Sequence, residues 1–184
     1  MFIRMIGVFE VRDAAGVDRT PRGAKARAIL AMLCQTPGHR RPRRWLEARL
    51  WSDRGQEQAS GSLRQALTEL RRALGPVADH LTSDRDCVAL SRVTTDLQAD
   101  PDAIRALVAQ GREFLEGIDI LDPAFNLWLA EERQRVASYL GQGSEGPAPE
   151  VHRLAPISLR FAALPDGAGP GLVRHLGAAI VRLT

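Results

Sequence analysis

The sequence predicts a mixed α+β fold. Three observations carry it. A β-branched and aromatic run, Phe2 to Val11, opens the chain, three helix-periodic segments follow between residues 23 and 74, and two short apolar runs flank a polar Asp-Arg-Asp turn at 84–86. Strand, helix, helix, helix and hairpin in that order is the element order of a winged helix-turn-helix.

Each element has its own signal. Phe2 to Val11 is strand-like, and Asp13 to Gly16 supplies turn chemistry. Val17 and Asp18 are then expected to start a short return strand, which would make the opening sheet antiparallel. That extra sheet narrows the winged helices to the OmpR-type variety. Gly23 to Gln35 reads as the first helix, with Ala24, Ala28, Ile29, Leu30, Met32 and Leu33 on its apolar face; Thr36, Pro37 and Gly38 stop it. Arg43 to Trp51 is expected as the second helix, turning Trp45, Leu46, Leu50 and Trp51 inward. Ser52 to Gln58 reads as a polar connection, Ala59 to Leu74 as the third helix, and Gly75-Pro76 as its stop. Leu81 to Ser83 and Cys87 to Leu90 form the hairpin strands.

Beyond the hairpin, Pro101 to Gln110 and Phe125 to Leu140 read as helices. Trp128, Phe125, Leu129 and Val136 recur at helical spacing and need a surface to cover them. The expected organisation is residues 1–95 as the winged helix and 96–140 as a helical extension folded against it. Residues 141–155 read as a Gly, Ser, Pro and Ala-rich linker, and 156–184 as a βα unit. One strand with one helix cannot shield both faces of the strand from water, so that unit is expected either to self-associate with another copy of the chain or to be mobile on its own.

Composition bounds the function. With 45% hydrophobic and 26% charged residues the chain is expected to fold rather than to stay disordered. Aromatics are only 5%, so the core must be built from Leu, Ala, Val and Ile. The net charge of +3 is unevenly spread: residues 1–85 hold 16 Lys and Arg against 9 Asp and Glu. The basic excess points to a polyanion, with a merely solvated basic surface as the alternative. No apolar run approaches the roughly 18 residues needed to span a bilayer, and Arg4 and Glu10 interrupt any signal-peptide pattern, so no membrane partner and a cytoplasmic location are expected. Cys34 and Cys87 lack metal spacing and read as buried thiols. His39, His80, His152 and His175 are scattered, so no metal is expected. The Gly-rich stretch at 167–171 lacks the Lys-Ser/Thr of a phosphate loop, so no nucleotide cofactor is expected, and no Ser or Cys has a paired base in view, so no enzymatic activity is expected.

The third helix carries the functional argument. Leu63, Ala66, Leu67, Leu70 and Leu74 share one face; Gly61, Arg64, Gln65, Thr68 and Arg72 lie opposite, with Arg71 on the flank. Guanidinium, amide and hydroxyl groups on one helical face suit base edges in a major groove. Small Ser60, Gly61 and Ser62 at the expected helix start allow close approach to a phosphate backbone. A solvated amphipathic helix with i,i+4 pairs is the alternative reading of the same face. Arg40, Arg41, Arg43 and Arg44 form a basic cluster near the second helix, suited to phosphates, and Arg85 at the hairpin tip suits a minor groove, with Asp84 and Asp86 beside it as the argument against deep insertion.

These residues also carry a resemblance. The segments "PRGAKARAIL", "LEARLW" and "SLRQALTELRRALG", ahead of "LTSDRDCVAL", resemble the DNA-binding domain of SARP-type transcriptional activators over about residues 1–95. The stretch "FLEGIDILDPAFNLWLAEERQRV" resembles part of that family's activation domain. The resemblance implies an OmpR-like winged helix, double-stranded DNA as partner and contact with RNA polymerase. The family's activation domain is a long helical array, whereas here 96–140 offers only a shortened form. The tail "ISLRFAALPDGAGPGLVRHLGAAIVRL" is similar to the opening of a TolB-like domain. A winged helix used for protein interaction, without specific DNA binding, remains the alternative function.

Overall fold

The computed structural model of the chain describes residues 1–98 and 101–141. The linker after Gly141, the βα unit at 156–184, His152 and His175 lie outside the described residues. Among the described residues the fold is mixed α+β, with two three-stranded sheets and five α-helices.

The chain opens with β1 (Phe2–Arg4) and β2 (Glu10–Arg12), antiparallel with Ile3 opposite Val11. Strand alternation puts Ile3 and Val11 in the core and leaves Phe2, Arg4 and Arg12 outside. Glu10 accepts from both flanking guanidiniums, Arg4 at 2.8 Å and Arg12. The return strand expected at Val17–Asp18 does not form: one isolated bridge joins Asp18 to Arg12. The carboxylate of Asp13 accepts instead from the amides of Ala15 and Val17 and from the Arg19 guanidinium, and Val11 gives its amide to the Thr20 hydroxyl. Two backbone bonds, from the Asp13 amide to Val17 and from the Arg19 amide to Val11, flank that bridge, and side chains take the neighbouring amides, so the pairing goes no further. The other edge of β1 is filled by β6 (Thr94–Thr95), which runs parallel to it. The opening sheet is therefore mixed, not purely antiparallel as expected.

Helix α1 (Ala24–Cys34) is nearly enclosed, with Ala26 and Ala28 through Leu33 all buried. After α1 ends at Cys34, the Thr36 hydroxyl donates back to the Met32 carbonyl at 2.7 Å, and Gly38 takes φ +71° in the turn that follows. Two residues later the chain forms β3 (Arg40–Pro42), then α2 (Arg43–Leu50). Lys25 of α1 donates to the Leu50 carbonyl and lies over the Trp51 ring at 4.7 Å, so it satisfies an orphan carbonyl at the end of α2. Helix α3 (Gln56–Leu74) begins three residues earlier than the sequence suggested, after Gly55, and stops at Gly75 with φ +54°. It packs on α1 and α2 through Leu63, Leu67, Leu70 and Leu74, all buried. Strands β4 (Leu81–Ser83) and β5 (Cys87–Leu90) form the expected hairpin, and β3 adds to β5 to give the order β3-β5-β4.

Residues 96–98 and 101–141 lie against this body. Helix α4 (Pro101–Ala109) touches α5 (Pro123–Gly141), and α5 packs on α2. The segment between them closes over the open stretch between β1 and β2: Leu115 donates to the Met5 carbonyl at 2.7 Å, and Ile6 and Val8 bridge to Phe114 and Glu116. Phe125 and Trp128 are buried with ring centroids 5.6 Å apart, each removing apolar area worth about 2–3 kcal/mol. No helix among the described residues is long and apolar enough to cross a membrane.

Both cysteines are free and half-buried. Burial, with a smaller push from the Asp96 carboxylate, drives the Cys34 thiol up to about 12. Because the thiolate is the nucleophile, Cys34 in the native protein is expected to resist a thiol-specific disulfide reagent at pH 8 and to react once the protein is unfolded. Equal reaction rates before and after denaturation would contradict this burial.

Candidate nucleic-acid interface

The exposed face of α3 follows from its apolar period. With Leu63, Ala66, Leu67, Leu70 and Leu74 turned into the core, Arg64, Gln65, Thr68 and Arg72 are left in solvent on the other side. Arg64 and Arg72 make no side-chain hydrogen bond or ion pair among the described residues, so their donors are free. Gln65 donates to the Glu69 carboxylate at 3.1 Å, and the Thr68 hydroxyl to the Arg64 carbonyl at 3.0 Å. Gln65 must therefore leave Glu69 before its amide can read a base with both groups.

The earlier helix start changes the roles of Ser60, Gly61 and Ser62. The Ala59 amide already bonds the Gly55 carbonyl at 2.9 Å, so the amides without an intrahelical acceptor are those of Gln56, Glu57 and Gln58. Ser60, Gly61 and Ser62 sit within the helix and not at its start as expected, and they offer hydroxyls or a small surface in place of free amides. A Cβ on Gly61 would meet nothing within 4 Å, so packing within the chain does not require a glycine there. The Ser62 hydroxyl donates to the Gln58 carbonyl and accepts from Arg54, both at 2.8 Å. Arg54, which the sequence did not single out, thereby borders this end of the face.

The basic cluster at 40–44 is divided by the structure. On β3, Arg40 and Arg41 point to opposite sides. Arg40 is exposed and pairs with Asp84 at 3.0 Å. Arg41 is half-buried: it donates to the Thr36 hydroxyl at 2.7 Å and lies 4.2 Å from the Trp45 ring. Arg49 lies 3.8 Å from the same ring, so two guanidiniums share one indole. Trp45 is accordingly only partly buried, where the sequence suggested an inward residue. The side chains of Arg43 and Arg44, on α2, have no hydrogen-bond or ion-pair partner among the described residues.

The hairpin is tied to both helices. Arg71 of α3 donates to the Ser83 hydroxyl at 3.0 Å, and the Arg43 amide at the start of α2 donates to the Asp86 carbonyl at 2.8 Å. At the tip, Asp84 accepts from the amides of Cys87 and Asp86. Those bonds hold its carboxyl below the usual carboxylate range, with Arg40 adding to the effect. Asp84 is thus engaged by the turn and by Arg40, and Arg85 is left exposed without a partner among the described residues.

One basic side chain outside the sequence expectations belongs with this surface. Arg22 is exposed and unpartnered among the described residues, and with Arg72 it lines a cavity of about 350 Å³ between the entry to α1 and the last turns of α3. Its only sequence signal was its place in the basic run Arg22-Gly23-Ala24-Lys25. Among the described residues no group of three or more His, Cys, Asp or Glu could hold a metal ion. Fixed positive donors on an exposed helix and a hairpin tip suit a polyanion more than any acid-base chemistry. No family model matches the chain, and no curated protein or solved structure matches it.

Proposed function

We propose that the chain is a sequence-specific DNA-binding transcriptional regulator, not an enzyme, with an OmpR-like winged helix over residues 1–95. In this reading α3 lies in the major groove, and Arg64 and Gln65, with Thr68 and Arg72, face base edges. Arg85 at the β4–β5 tip reaches the neighbouring minor groove, while Arg40, Arg43 and Arg44 hold phosphates. Residues 96–140 are then the shortened activation segment, the side from which RNA polymerase would be contacted. The reading places the protein in the cytoplasm, with the DNA.

The observation that supports it most is the partnering of the arginines. Arg4, Arg12 and Arg19 are paired with carboxylates of the opening sheet and its following turn, whereas Arg44, Arg64, Arg72 and Arg85 keep free guanidiniums around α3 and the hairpin. Gln65 and Glu69 do form the i,i+4 pair of a solvated helix face, but Arg64 and Arg72 make none.

Titrating duplex DNA with the chain at increasing salt tests the reading. Each neutralised phosphate adds about −0.9 to the slope of log affinity against log salt. With about four phosphate contacts, raising salt from about 50 to about 200 mM is expected to weaken binding roughly 150-fold. An affinity for DNA that is absent, or indifferent to salt across that range, would leave the protein-interaction reading in its place.

A further inference from the structure

We propose that Arg22, Arg72 and the uncapped first turn of α1 form a seat for a phosphate group beside the reading helix. The cavity of about 350 Å³ is large enough for a phosphate and its substituent. Its wall carries Arg19, Arg22, Gly23, Ala26, Glu69 and Arg72.

The charges in that wall separate into engaged and free groups. Arg19 is held by Asp13 at 3.0 Å. Asp18, also in the wall, accepts from the amide and hydroxyl of Thr20 at 2.8 and 2.5 Å. Glu69 accepts from the neutral Gln65 amide and so keeps its negative charge in the wall, which the free guanidiniums outnumber two to one. Arg22 and Arg72 remain with no partner among the described residues. Two planar guanidinium forks facing one cavity match the spaced oxygens of a phosphate better than a single carboxylate. Helix α1 adds donors: its N-cap Gly23 makes no side-chain cap and its first turn holds no acid. The first ladder bond runs from the Arg27 amide to the Gly23 carbonyl, so the amides of Ala24, Lys25 and Ala26 have no acceptor within the helix, and of this first turn Gly23 and Ala26 line the cavity.

The phosphate can come from two sources, the backbone of bound DNA or a free phosphate compound. Arg72 belongs to the exposed face of α3, so the DNA backbone running past that face is the favoured source. That choice rests on the DNA reading, and it moves Arg72 from base edge to backbone. The seat itself does not depend on it.

The full chain and its Arg22→Ala variant separate these possibilities. Arg22 is exposed and unpartnered, so the variant is expected to melt with the wild type. Amide NMR spectra are recorded during titration with inorganic phosphate at constant ionic strength, and DNA affinity is measured against salt. In the wild type, phosphate is expected to shift the Gly23 to Ala26 amides, and the shifts should vanish in Arg22→Ala. The variant should also bind all DNA sequences several-fold more weakly, with a slope shallower by about 0.9. Lost phosphate shifts with an unchanged DNA slope would support the seat and assign it to a free phosphate compound. A changed slope without phosphate shifts would support the DNA backbone alone. If the wild type binds no DNA, the DNA reading fails, and the phosphate titration still decides the seat. If neither measurement depends on Arg22, or if Arg92→Ala, which removes an arginine ion-paired with Asp79 away from the cavity, alters the slope as much, the proposal is overturned.

Discussion

Asp122→Ala is expected to lower the melting temperature by about 10 °C, the largest loss of stability expected from a single polar side chain among the described residues. The carboxylate is buried and accepts four hydrogen bonds. Two come from Ser52, in the turn between α2 and α3, its amide and hydroxyl each at 2.8 Å. Two come from the amides of Ala124 and Phe125 in the first turn of α5, at 3.0 and 3.4 Å. One side chain thus caps α5 and ties it to the turn ahead of α3. Removing it strands donors in a buried place and deletes a helix cap, together about 3 kcal/mol. At roughly 3 °C per kcal/mol for a chain of this size, that gives the stated shift.

The pH dependence of this tie has a definite sign. Burial pushes the Asp122 carboxyl up, but the Ser52 amide and hydroxyl and the Phe125 and Ala124 amides together hold it below its ordinary value of 3.8. A depressed carboxylate contributes stability in full above its unfolded value and loses it as pH falls through the folded value. The gap between wild type and Asp122→Ala should therefore be widest near neutral pH and narrow below about pH 4. Melting curves at pH 7 and near pH 3 check this. A wild-type advantage under about 2 °C at pH 7, or one that grows on acidification, would mean that the four hydrogen bonds do not hold α5 in place.

How much of the molecule can be read from its residues depends on the range of the forces involved. The division of α3 into a Leu face and an Arg-Gln-Thr face is a local period, and it is visible in the sequence. The hairpin is visible for the same reason, since Asp84 and its neighbours make a turn from their own side chains. Strand β3 is not: Arg40-Arg41-Pro42 has no apolar alternation, and its strand character comes from pairing with β5 more than forty residues on. Strand β6 is two threonines that become a strand only because β1 has an open edge. The early start of α3 had a signal in the helix formers Gln56, Glu57 and Gln58, but the absence of a Ser, Thr or Asp cap hid it. Within the candidate site, residue type was legible and partnering was not. Nothing in the run Arg40-Arg41-Pro42-Arg43-Arg44 distinguishes the arginine lying over Trp45 from the two left free on α2, because that depends on where Thr36 and Trp45 end up.

Under the proposed DNA reading, partnering also sets the outcome expected at the exposed face of α3. Arg64→Ala should change which DNA sequences the chain prefers, whereas Arg44→Ala and Arg43→Ala should weaken binding to all sequences alike, because base contacts specify and phosphate contacts position. A bidentate contact from a free guanidinium to a guanine discriminates by about 1–3 kcal/mol, roughly 5- to 150-fold between the preferred base and another. Arg64 has no internal bond to give up, so its truncation should show the full effect. Gln65 must first leave Glu69, which at about 0.2–0.5 kcal/mol for an exposed i,i+4 pair is a small cost, so Gln65→Ala should also shift preference but by somewhat less. Glu69→Ala supplies the complementary case: it frees Gln65 and removes a negative charge from the face, so binding should tighten on specific and random DNA together. The measurement is selection of bound sites from random duplexes with each variant, followed by affinity for the selected site and for a scrambled one. If Arg64→Ala and Arg44→Ala lost affinity in equal proportion on both duplexes and selected the same sites as the wild type, the exposed face of α3 would be holding phosphates only, and the base-reading surface would have to be sought elsewhere on the chain.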